Sequence, residues 1–121
     1  MTRNIDRTFG ALLLLGAILH SFGSFSSYPI GSQSLVWALS GSLAAGLLAV
    51  LNLVRAGRPA DRPLAWITMF GCLGWIGIAV GFGASIGNVY DPRVLWHAIS
   101  ALALALFSLR TVLGQATPAV A

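Results

Sequence analysis

Three stretches of this chain carry no Asp, Glu, Lys or Arg: Thr8 to Val54, Pro63 to Tyr90 and Val94 to Leu109. An apolar helix of about 20 residues crosses the hydrocarbon core of a bilayer. The first stretch is long enough for two such helices and the other two for one each. Lipid, not water, is the solvent this pattern suits.

Charge placement then orients the chain. All seven basic residues are arginines, and six of them (Arg3, Arg7, Arg55, Arg58, Arg62 and Arg110) fall on one side of the threading; Arg93 falls on the other. Arginine-rich short loops stay cytoplasmic. The expectation is a multi-pass protein of the cell inner membrane with both termini inside. With 8% charged residues and neither Lys nor Glu, the chain cannot coat a water-soluble globule. A net charge of +4 can signal nucleic acid. Here the arginines sit singly beside apolar segments, so no nucleic-acid partner is expected and membrane lipid is. Cys72 is the sole cysteine, which excludes an internal disulfide and suits a small packing residue.

Arg3 and Arg7 before Phe9 to Leu19, with Ser21, Gly23 and Ser24 after, have the outline of a cleavable signal. The apolar character continues to Tyr28, which favours a retained first membrane helix. That helix is predicted from about Thr8 to Ser27, ending at Tyr28-Pro29. Ser34 is the expected cap of a second helix over about 35–54, with Gly57 closing it. The loop from Arg55 to Arg62 reads as a solvated turn and topology signal, with anionic-lipid contact as its functional reading. Pro63 opens a third helix over about 64–87, and Asp91-Pro92 opens a fourth over about 92–113. Gly114 and Pro118 mark its end. Short loops make consecutive helices neighbours, so the fold class is an all-α membrane protein: one domain, four helices in an antiparallel up-down bundle.

Helices in lipid associate through small residues. Gly74, Gly77 and Gly81 recur along one face of the third helix, and Gly41, Ala45, Leu48 and Asn52 along the second. Both stripes are expected to pack helices together inside the bundle, or to serve a homo-oligomer or a partner subunit. Trp37, Trp66 and Trp96 fit interface positions; Trp75 is too deep for one.

Two histidines carry the chemistry. At about 1.5 Å rise per residue, His20 and His97 fall in the same outer half of a ~30 Å core, within about 5 Å of each other in depth. Ser24 lies on the face of His20, and Ser100 on that of His97. Ionisable groups within a membrane invite a functional hypothesis. Four residues, His20, Ser24, His97 and Ser100, therefore form a candidate site for the polar head of a quinone or lipid, or for haem b; otherwise the imidazoles are neutral and satisfied within the bundle. Metal is not expected, because no carboxylate or thiol accompanies the pair. Asp91 is the one carboxylate with a chance of reaching His97. No acid is predicted inside any span, so the buried glutamate of small multidrug exporters, which share this size, is missing. The phenylalanine-and-threonine-rich motif of small dimeric fluoride channels is missing too. The expected role is a non-enzymatic oligomer or accessory subunit of a membrane complex, with ligand binding or a small channel as alternatives.

Overall fold

The computed structural model describes residues 1–114, so Pro118 lies outside the described residues. The chain forms four helices, α1 (Thr2–Ser27), α2 (Gln33–Ala56), α3 (Arg62–Ser85) and α4 (Pro92–Val112). Each is long and apolar enough to cross a membrane, which marks a multi-pass membrane protein. Short turns at 28–32, 57–61 and 86–91 join them. α1 lies against α2 and α4, and α3 against α4 and α2.

Local chemistry sets the boundaries. Asp61 caps α3 by accepting the Leu64 N–H at 3.0 Å, and Asp91 caps α4 by accepting the Arg93 N–H at 2.9 Å. Ser32, not Ser34, caps α2, accepting from Leu35 at 3.2 Å. The turn before it passes through Gly31 at φ 82°, a left-handed conformation that favours glycine.

The main departure from expectation is at the start of α1. The helix begins at Thr2, six residues before the expected Thr8, and so carries Asp6 within it. Asp6 is buried, contrary to the expectation of no acid in any span. Its partner is Arg55, expected in a solvated loop but only 2% exposed in the last turn of α2. Arg55 Nη2 donates to Asp6 Oδ1 at 2.6 Å and Nη1 donates to Oδ2 at 3.0 Å. Each charge removes the reason to keep the other in water, so α1 begins six residues before, and α2 ends two residues beyond, the expected boundaries.

The pair does not stand alone. Arg55 Nε donates to Asn52 Oδ1 at 3.2 Å. Asn52 Nδ2 donates to the Leu48 carbonyl at 2.9 Å and to Cys72 Sγ of α3 at 3.4 Å. A second polar contact, Thr68 Oγ1 to Ser108 Oγ at 2.8 Å, joins α3 to α4. Beyond this polar layer, Leu13, Leu48, Ala49, Cys72, Ala101, Leu104 and Ala105 fill the middle of the bundle. Small residues dominate that layer because close backbone approach is what holds helices in lipid.

Removing one member of a buried charge pair strands the other. Asp6→Ala is expected to lower stability by about 3–5 kcal/mol, and the apolar double variant Asp6→Leu/Arg55→Met to recover most of it. Thermal unfolding in detergent, followed by circular dichroism, measures both.

Candidate functional site

His20 of α1 and His97 of α4 do come together. Their ring centroids are 6.5 Å apart, with the planes near perpendicular at 83°. Two further residues complete the cluster: Ser42 of α2, whose Oγ lies 2.7 Å from His20 Nδ1, and Trp75 of α3, whose Nε1–H donates to His97 Nδ1 at 3.2 Å. All four helices thus contribute one side chain each. Trp75 has no place in an interface belt because its indole N–H is spent here, with the ring edge-on to His97 at 5.7 Å.

Close backbone approach permits this. A Cβ on Gly16 would lie 2.9 Å from Trp96 Cδ1 and 3.1 Å from His97 Cε1, so only glycine lets α4 lay both rings against α1. Trp96, expected to point outward, donates its indole N–H to the Leu12 carbonyl at 2.8 Å, fastening α4 to α1 one layer deeper.

The two imidazoles have different freedom. An indole N–H only donates, so it fixes His97 Nδ1 as an acceptor and places the proton of the neutral ring on Nε2. The Gly16 carbonyl lies within reach of the same ring. His97 is therefore braced on both sides. His20 is exposed at the bundle surface. Ser42 Oγ can donate to His20 Nδ1 or accept from it, since it also reaches the Ala38 carbonyl at 3.4 Å. His20 Nε2 can accordingly present a donor or an acceptor to an incoming group.

Ser24 and Ser100 fall differently from the expected lining. Ser24 is buried and donates to the His20 carbonyl at 2.7 Å, satisfying its own helix. Ser21 and Ser40 do the same to Ala17 and Val36. Ser100 is buried within α4 beneath His97. Asp91 is engaged by Arg93 instead: both its oxygens accept from the Arg93 guanidinium at 2.9 Å, which holds its carboxyl down to about 2. Arg93 also lies over the Phe82 ring at 5.3 Å.

For haem b the two rings differ: His20 Nε2 is unengaged, whereas His97 is not available in this arrangement. A neutral His97 with Nδ1 accepting and Nε2 protonated has no lone pair to offer iron. Among the described residues no group of three His, Cys, Asp or Glu could hold a metal ion.

The small-residue stripes split. Ala45, Leu48 and Asn52 are buried within the bundle, and Gly41 faces Trp75 and His20. Gly74, Gly77 and Gly81 do not pack helices inside the protomer: a Cβ at any of them meets nothing within 4 Å. The buried side of α3 is formed instead by Ala65, Thr68, Cys72, Ala79 and Gly83.

Ser42 and Trp75 were not among the expected site residues. Both lie on the bundle-facing sides of their helices, and Trp75, too deep for an interface, was the visible signal. Comparison with protein-family models, with curated proteins and with solved structures finds no match to this chain.

Trp75→Phe removes the donor on His97 and keeps the ring. The His97 imidazole is then expected to shift toward a mixture of neutral tautomers, read as a change in its two ¹⁵N chemical shifts, with the helical circular dichroism unchanged.

Proposed function

We propose that this chain is a non-enzymatic protein of the cell inner membrane, a four-helix antiparallel bundle with both termini cytoplasmic, that holds the polar head of a lipophilic molecule at His20. The ligand class is a quinone or a lipid with a hydrogen-bonding head. The observation that carries the reading is the accessible His20 ring at the bundle surface, backed by a His97 ring that Trp75 and Gly16 hold still.

A polar side chain facing lipid is costly unless something bonds to it. His20 is bonded through Nδ1 only, and Nε2 is the group left to a ligand. The histidine cluster lies in the outer half of the proposed topology, where an amphiphile's head could enter from the leaflet. Six arginines at the other end support that orientation. The packed middle, centred on Leu13 and Leu104, argues against a conduit along the axis of one protomer.

One observation favours a second reading, an oligomer or an accessory subunit of a membrane complex. Gly74, Gly77 and Gly81 turn a small-residue face away from the bundle, the surface on which another helix packs closely. Gly77→Leu would then lower the dimer fraction seen by cross-linking in nanodiscs; an unchanged fraction removes this reading.

Short-chain quinone analogues quench nearby tryptophan fluorescence, and Trp75 and Trp96 flank the site. His20→Ala is expected to weaken quenching-derived binding about tenfold, the worth of one lost hydrogen bond of ~1.4 kcal/mol. Equal affinity in the wild type and the variant would refute the site. Reporter tags that place the two ends in different compartments would refute the topology.

A further inference from the structure

Where α1 begins and α2 and α4 end, a cleft of about 370 Å³ opens between the three helices. The buried Asp6–Arg55 pair forms its floor, Phe107 an apolar wall, and Arg3, Arg110 and Thr111 its rim.

The charges in this cleft do not cancel. Arg55 is engaged with Asp6 and Asn52, and both Asp6 oxygens are engaged with Arg55. Arg3 and Arg110 remain; both are exposed, and among the described residues neither makes an ion pair. Three arginines against one aspartate leave a surplus of two positive charges around one concavity. The first turn of α1 adds to the field, since it has no side-chain cap and its Thr2 and Arg3 line the cleft. The 57–61 turn and the residue after it are less suited: Arg58 leans toward Asp61 at 3.8 Å, and Arg62 lies over the end of α4 beside Gly114.

We propose that this cleft binds a phosphate-bearing anion, with Arg3 and Arg110 as the ligating cations and Phe107 against the apolar part of its carrier. Guanidinium forks match phosphate oxygens in pairs, and basic pockets between membrane helices take anionic head groups. The buried pair contributes by fixing α1 to α2 at the floor of the cleft that Arg3 and Arg110 both line. The source of the phosphate is an anionic phospholipid of the surrounding leaflet or a soluble phosphate.

Binding to the full-length protein in detergent tests this with three probes: dioctanoyl phosphatidylglycerol, dioctanoyl phosphatidylcholine and inorganic phosphate. Phosphatidylglycerol is expected to bind at least about tenfold tighter than the zwitterionic lipid, and Arg3→Gln/Arg110→Gln to abolish about that preference. Arg3→Lys/Arg110→Lys keeps the charge and the topology signal but loses the forks, and should fall between. Arg58→Gln, outside the cleft, should bind as the wild type does. Inorganic phosphate that competes with the lipid at matching affinity identifies a soluble source; phosphate that fails to compete identifies the lipid. The proposal is overturned if the double glutamine variant, with its melting temperature unchanged, binds phosphatidylglycerol as the wild type does. It is equally overturned if Arg58→Gln weakens binding as much, or if the two lipids bind alike.

Discussion

A carboxylate and a guanidinium buried against each other decide how this bundle closes. Neither Asp6 nor Arg55 could leave water alone, because the cost of a lone ion in a low-dielectric interior is several kcal/mol. Paired through two hydrogen bonds, with Asn52 taking the third guanidinium donor, they become one neutral unit that fits between helices. Asn52 then passes the connection to Cys72, so a chain of polar contacts ties α1, α2 and α3 at a single level. The small-residue core above it, and the cleft below it, are both placed by that tie.

The histidine cluster is the counterpart at the other end. There the contacts join side chains that carry no carboxylate or guanidinium: a 2.7 Å contact to Ser42, a 3.2 Å contact from Trp75, and two rings set edge to face. The difference has a physical basis. A charge pair demands full satisfaction and is buried with every oxygen and each guanidinium nitrogen bonded. A neutral imidazole tolerates one free nitrogen, so His20 can stand at the surface. One end is therefore built to be locked, and the other to leave an atom available.

Much of the fold is legible in residue order. Helix number, the turns, and the cap at Asp91 follow from charge gaps and turn residues. The meeting of His20 and His97 follows from depth arithmetic and helix adjacency. What is not legible is which charges go inside. An aspartate six residues from the start and an arginine at the end of a long apolar run both look like boundary markers, and each would be one without the other. The direction of the α3 glycines is equally hidden. Gly74, Gly77 and Gly81 and the buried set around Cys72 are both spaced every three or four residues, and periodicity alone cannot say which face turns inward.

The linear chain settled its own solvent. Long stretches without formal charge, bounded by arginines, leave few options beyond membrane helices, because transfer free energies add up residue by residue along a segment. The three-dimensional arrangement settled pairing. Whether an ion is stabilised and whether an indole or imidazole nitrogen is taken or free depend on groups 22, 49 and 84 positions away in the chain, and such contacts exist only after the helices have docked.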